Sequence, residues 1–388
     1  MEEKLKITTT FLIVGAGPAG LICAILLRRA GLDVTVVEKK ASQQRPVCGE
    51  YLTPQGVALF QQIKLGNLLE GFSPLEGMTI LTPARQKVNG HFPHRKWGVS
   101  LNRQTLQERL GKELINLGGK LLYGQGLEAI EVNESHILVQ TQSQTIETCA
   151  LIGADGRQSM VARLLNFKTG RPLHRKIAIH CYLRPRHPLP RKGQMHLLPC
   201  GSYVGINPIN DGEVNFSIVT EAEKLKTHPN PRSFINAIIK DRQELKKQFH
   251  FLKNEKIKIT TPLCRAAREI TKGNVALIGD AAGFIDPITG EGITAALRTA
   301  IILAEELVRE KSFARAMARY NRRRKMEFRE KERRNLMFQL IIRHQVAAEM
   351  IGWCLKKSST LTKAFLGVIG NLYTNREALK EVLHGKDN

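Results

Sequence analysis

The chain has 388 residues, 42% hydrophobic and 24% charged, with 59 Lys and Arg against 35 Asp and Glu, a net charge of +24. That apolar content can bury a sizeable core in two domains or one elaborated domain, which excludes a disordered or fibrous protein. No window approaches the roughly 18 uninterrupted apolar residues of a membrane span, and Met1-Glu-Glu-Lys opens without a signal-peptide pattern, so a cytoplasmic location is expected.

The first predicted element is a buried parallel strand over Leu12-Ile-Val14, followed by Gly15-Ala-Gly17-Pro18-Ala19-Gly20. Gly15 permits a tight turn, Gly17 lets backbone approach a pyrophosphate, and Gly20 lets helix pack on strand. The helix predicted over Pro18–Arg29 directs free N–H groups and the positive end of its dipole at phosphates, with Pro18 tolerated in the first turn, and Gly31 ends it. A second strand, Val34-Thr-Val-Val-Glu38, ends on an acid 18 residues beyond Gly20, with Lys39 beside it. A carboxylate there accepts from a ribose diol and repels a 2′-phosphate, which favours FAD or NAD over NADP. A glycine fingerprint alone is a weak signal, but here strand, helix, second strand and terminal acid agree.

Further along, Gly124-Gln-Gly126 mimics the fingerprint but leads from strand into strand, which predicts a strand bend. Strands are expected over 176–184, 195–198, 203–206 and 213–219, with Asn210-Asp211-Gly212 as a hairpin turn. Such strands, inserted between nucleotide-binding elements, make a sheet-based substrate domain, and ligands should sit between the two layers. Val275-Ala-Leu-Ile-Gly279-Asp280 then repeats strand and turn, and Gly290-Glu291-Gly292-Ile293 opens a helix over 294–309. Asp280 is placed to bind a ribityl or ribose hydroxyl, and the N–H groups of the helix start can stabilise negative charge on a bound ring.

Residues 309–343 hold 13 Lys or Arg against four Glu. Two readings stay open: core-packing helices with solvated charged faces, or peripheral association with an anionic membrane through 309–373, where apolar runs at 336–342 and 361–373 accompany the charge. Specific nucleic-acid binding is not expected, because few aromatics accompany the basic run. Seven scattered cysteines without Cys-x-x-Cys spacing imply neither a disulfide framework nor a zinc site, and His94, His180 and His196 are assigned no role.

A third stretch, Gly153-Ala-Asp155-Gly-Arg157, completes a set. With the glycine fingerprint and the Gly279-Asp280 turn it resembles the FAD-dependent monooxygenase superfamily of the aromatic hydroxylases, over roughly residues 8–310. Within it, Arg45-Pro-Val-Cys48-Gly49-Glu50 and Gly290-Glu-Gly-Ile293 look most like the geranylgeranyl reductase branch. The resemblance implies an α/β fold with a Rossmann-like FAD-binding domain from 1–75, 100–170 and 270–310. An inserted antiparallel β-sheet substrate domain would come from 76–99 and 171–269, and a basic helical C-terminal region from 311–388.

It also implies that Gly15, Gly17, Pro18, Ala19 and Gly20 with Glu38 and Lys39 hold the adenosine diphosphate half of FAD. Arg103 would contact the cofactor beside Arg45, and Gly279 with Asp280 would hold the ribityl or pyrophosphate region. Cys48 and Gly49, Pro287, and Gly290, Gly292 and Ile293 would lie at the flavin ring. Asp155 would organise a groove for a nicotinamide donor, or serve as a structural turn acid. Cys48 would deliver a proton to carbon, with Arg45 as a neighbouring cation, or simply fill a tight loop.

Two departures from the branch stand out: Glu50 and Tyr51 replace small residues, and Tyr203-Val-Gly-Ile-Asn-Pro208 replaces an aromatic Tyr-x-Trp-x-Phe-Pro pattern. Trp97 and Trp353 are the only tryptophans, which disfavours a halogenase. The expected activity is reduction of a carbon–carbon double bond in an apolar, isoprenoid or lipid-like substrate. Electrons would come from NAD(P)H or a reduced electron carrier. Alternatives are a hydroxylase using dioxygen and a flavin-containing electron-transfer subunit.

Overall fold

The computed structural model describes residues 5–43, 45, 47–170, 176–209, 212–261, 263, 267–284 and 287–384. Its first sheet has eight strands, with the parallel strands Val275–Leu277, Gln144–Gly153, Leu5–Val14, Val34–Glu38 and Lys120–Tyr123 side by side. Leu12, Ile13, Val34, Val36 and Val37 are wholly buried, as a strand covered on both faces requires. The helix Pro18–Arg29 spans the residues expected of it and is buried over most of its surface. Sequential parallel strands all end at one edge, where the loops after Val14, Glu38, Gly153 and Leu277 converge. A crevice beyond the carboxyl ends of such strands is where this architecture binds ligands.

Among the described residues the second sheet has seven strands, ordered Lys258–Thr260, Lys176–Leu183, Val214–Glu221, Tyr203–Pro208, Lys192–Leu197, Gly77–Leu81 and Lys87–His91. All pairs are antiparallel except Gly77–Leu81 with Lys192–Leu197. Side chains alternate along each strand. Val204, Ile206, Phe216 and Ile218 pack with Phe234, Ile235 and Ile239 of the helix Pro231–Asp241. Tyr203, Gly205, Asn207, Ser217 and Val219 face the opposite way, toward the first sheet. Of the hairpin turn expected at 210–212, Asn210 and Asp211 lie outside the described residues, but the flanking strands pair with Pro208 opposite Val214.

The C-terminal helices are Gly292–Arg309, Phe313–Arg343, Gln345–Lys357, Ser359–Ile369 and Asn375–His384. Part of the basic run turns inward. Tyr320 donates to the Leu277 carbonyl at 2.7 Å and Arg324 to the Ala282 carbonyl at 2.7 Å, so the long helix clamps the Gly279–Ala282 turn. Glu306, with no exposed side-chain surface, accepts from Arg319 at 2.9 Å and Arg323 at 2.6 Å. Burial disfavours its charge, yet the two guanidiniums hold its pKa below the ordinary 4.5. A depressed folded-state pKa contributes stability above 4.5 that is lost as pH falls through the folded value. Glu306→Gln should therefore cost about 1–2 kcal/mol near neutrality. Denaturant melts across a pH series should show the gap to the parent protein closing below pH 4.5.

Candidate active site

One cavity of about 570 Å³ runs from the strand ends of the first sheet to the inner face of the second. At its first end, Gly15 adopts φ +109°, and a Cβ there would lie 2.5 Å from the Ala154 carbonyl. Gly20 does not line the cavity. It lies beneath the turn, where a Cβ would collide with the Gly15 carbonyl, so its packing role holds. Gly279 adopts φ +59°, and a Cβ there would lie 2.9 Å from the Ala19 Cβ, so the two turns pack closely at this glycine.

The N-terminus of the first helix carries no side-chain cap, leaving its first-turn N–H groups to the cavity. Glu38 accepts from the Ala16 amide at 3.0 Å and the Lys40 amide at 3.1 Å, which fixes its carboxylate over the glycine turn. Arg103 lies across the same turn, with a Gly17 Cβ position 3.9 Å from its Nη2, and its buried Nε has no partner among the described residues. Uncapped helix amides, a ribose-height carboxylate and an unsatisfied buried guanidinium N–H fit the ribose and pyrophosphate of FAD.

Asp155 and Asp280 line the same cavity, Asp155 with its Cα 2.9 Å from a Gly15 Cβ position. Burial raises the pKa of Asp280, while Arg103 and Arg157 oppose the rise. Asp155 accepts from the amides of Met160 at 2.6 Å and Val161 at 3.2 Å, which makes it the anchor of the helix Met160–Leu164 as well as a wall residue. Burial outweighs those bonds and raises its pKa too.

At the far end the Cys48-Gly49 loop meets the helix start Gly290, Gly292 and Ile293, and all five residues line the cavity. The loop is tied to the second sheet: Asn215 Nδ2 donates to the Cys48 carbonyl at 2.6 Å and Asn207 Nδ2 to the Gly49 carbonyl at 2.8 Å. Asn207 and Asn215 sit opposite each other across an antiparallel pair. Glu50, completely buried, accepts from the Arg103 amide at 3.1 Å, Arg45 Nε at 3.4 Å and Asn215 Nδ2 at 3.0 Å. Tyr51 packs its ring against Gly290, whose Cβ position lies 2.5 Å from the Tyr51 Cδ1. The residues that break the branch pattern thus knit loop, helix and sheet together.

Among the residues expected at the cofactor, Arg45 is directed elsewhere. Its guanidinium stacks 3.3 Å over the Tyr182 ring and donates to Glu213 at 2.7 Å, so it is not the cation at the cavity face of Cys48. The cation that shares the cavity lining with Cys48 at this end is Arg157, which donates to Thr260 Oγ1 at 2.7 Å and interacts electrostatically with Asp280, Arg103 and Cys48. Burial lowers the Arg157 pKa, with Asp280 opposing. Of Pro287 only the backbone turn Pro287–Thr289 is described, and Asp286 and Pro46 lie outside the described residues. The remaining expected residues, Gly17, Pro18, Lys39 and Gly279 among them, line the cavity. His180 shares the sheet face of Ala178 and its ring bonds Ser217 Oγ at 3.0 Å without lining the cavity; burial and the charges of Lys258 and Arg45 hold its pKa at about 4, so it is neutral at physiological pH.

Sequence reasoning missed Arg157, Asn207, Asn215 and the role of Glu50. The signal available was the alternation of the second sheet, which puts Asn207 on the same face as Tyr203.

A dinucleotide crevice joined to an apolar chamber defines an FAD-dependent oxidoreductase. The chain belongs to the family described as FAD binding domain, whose profile matches residues 8–332, and so to the aromatic-hydroxylase group. It is 28% identical over 316 residues to menaquinone reductase of Mycobacterium tuberculosis, covering 76% of this chain and 75% of that protein. Digeranylgeranylglycerophospholipid reductase of Methanosarcina acetivorans is 25% identical over 308 residues, covering 76% and 74%. A geranylgeranyl bacteriochlorophyll reductase-like protein of Thermoplasma acidophilum shares the fold, with TM-score 0.79, 18% identity, and 98% and 96% of the two chains covered.

Proposed function

We propose that this oxidoreductase reduces a carbon–carbon double bond of an apolar, isoprenoid-like substrate, drawing electrons from NAD(P)H or a reduced electron carrier. The observation that carries the reading is the apolar chamber beyond Cys48 and Gly290, walled by Met78, Ala178, Met195, Tyr203, Val219 and Ile288. Such a wall offers an aliphatic chain dispersion contacts, with Gln194, Asn207 and Ser217 as the polar groups of the same sheet that also line the cavity. The names of the two reductase relatives support the same class.

Bound FAD would supply the hydride chemistry. Saturating a double bond adds a hydride at one carbon and a proton at its neighbour, so the chain must hold a proton near the ring. Cys48 is the side chain placed for this: it lines the cavity, and its Sγ is oriented by the Glu50 amide, which donates to it at 3.3 Å. Arg157 lines the same cavity and interacts electrostatically with Cys48, so it would supply positive charge to the sulfur that is left when the proton moves to carbon. Gly290 makes way for the Tyr51 ring, while a Cβ at Gly292 would meet nothing within 4 Å, so Gly292 would leave room for a planar ring, and the start of the helix Gly292–Arg309 would offer N–H groups to negative charge on it.

The test is anaerobic photoreduction followed by mixing with a polyprenyl lipid or with oxygen. Lipid-driven reoxidation without oxygen, slowed about 10²- to 10⁴-fold in Cys48→Ala, is the expected result. Rapid reoxidation by oxygen with no anaerobic response to lipid would overturn the reading and move the protein to the hydroxylases.

A further inference from the structure

We infer that the elbow formed by the end of the long basic helix and the helix after it is a docking surface for an anionic lipid bilayer. The outer stripe of Phe313–Arg343 runs Arg322, Met326, Arg329 and Arg333, then Leu336, Met337 and Leu340, all on one helical face and all exposed. The chain bends at His344, and Gln345–Lys357 continues the apolar stripe with Val346, Met350 and Trp353, followed by exposed Lys356 and Lys357.

The exposure is large for such side chains: Leu340 60%, Val346 73%, Met350 65% and Trp353 56%. Scattered single apolar residues on a surface carry no meaning, but exposed apolar sets on one face of each of two successive helices do. Its composition selects the occupant. A protein partner would meet an apolar strip rimmed by like positive charges. A bilayer offers acyl chains to the strip and anionic headgroups to Arg329, Arg333, Arg343, Lys356 and Lys357. Among the described residues no helix is long and apolar enough to cross a membrane, so the association is interfacial.

The inward faces of the same helices give the surface a purpose. Phe338, Ile342, Ala348 and Leu355 belong to one packed apolar cluster with Met78, Tyr203 and Ile288 of the cavity wall. One layer of helix therefore separates the bilayer face from the apolar chamber. The proposal concerns the surface and stands whichever substrate the chamber takes.

The test is flotation of the FAD-loaded full chain with vesicles of phosphatidylcholine, with and without phosphatidylglycerol. Binding to the anionic vesicles is expected, weakened at least 10-fold between about 0.05 and about 0.5 M salt. Val346→Glu with Met350→Glu, both on exposed positions, should lower partitioning by roughly 100-fold while bound flavin stays unchanged. Trp353 becomes the sole tryptophan in Trp97→Phe, and its fluorescence should be quenched by brominated acyl chains. Absence of vesicle binding, or binding untouched by the double variant, would overturn the proposal. So would a concentration-dependent dimer abolished by that variant without any vesicle binding, which would assign the face to a second copy.

Discussion

Replacing Glu50 with Ala is expected to destabilise the protein by about 3–5 kcal/mol and to strip flavin from what remains folded. The carboxylate is fully buried and accepts from three donors: the Arg103 amide, Arg45 Nε and Asn215 Nδ2. Removing it leaves the Arg103 amide and one of the two Asn215 N–H groups without an acceptor, and Arg45 Nε unpaired in the interior. The same donor set makes Glu50→Gln a poor substitute, because the amide nitrogen must face a donor in either orientation. Glu50 also holds a positive φ of 50°, a conformation that costs about 1–2 kcal/mol for a residue with a Cβ and persists only where surrounding contacts enforce it. Denaturant melts and the ratio of flavin to protein absorbance would measure both effects. A Gln variant with parental stability and flavin content would refute the account.

Replacing Gly15 with Ala should abolish stable flavin binding, raising the dissociation constant by at least about 100-fold. Two independent obstacles meet there: φ of +109°, and a Cβ position 2.5 Å from the Ala154 carbonyl and 2.9 Å from the Asp155 Cα. Both neighbours are backbone of the adjacent parallel strand's exit, so relief requires moving the sheet edge on which Asp155 and Arg157 depend. Gly31→Ala is the control. Its φ is +79°, but nothing lies within 4 Å of the added carbon, so it should cost about 1–2 kcal/mol of stability and leave flavin affinity alone. Flavin titration of the two variants separates the cases, and equal affinities would show that the Gly15 turn does not set the cofactor's approach.

How the basic run is used illustrates a boundary between local and tertiary information. Its charge count cannot distinguish Arg324, which holds the Ala282 carbonyl beside the cofactor turn, from Arg329, which faces solvent. Helical phase separates them only once one face is known to be covered. Likewise the parallel pairing of Gly77–Leu81 with Lys192–Leu197 leaves no trace in either strand's alternation. Parallel partners lie far apart in sequence and carry no turn signal between them.

By itself the amino-acid sequence determined what depends on neighbours along the chain. The strand, glycine turn and helix through Arg29, the acid at Glu38, the alternating strands of the second sheet and the glycine-rich helix start at Gly292 all follow from periodicity and backbone sterics. Tertiary structure alone decided which polar and charged groups meet. Glu50 and Asn215 are 165 residues apart, Arg45 and Glu213 are 168, and Arg157 and Thr260 are 103. Such pairs form where two sheets close on one cavity. Desolvation there makes an unpaired donor or acceptor costly, so each group takes the partner that the packing of distant segments brings within reach.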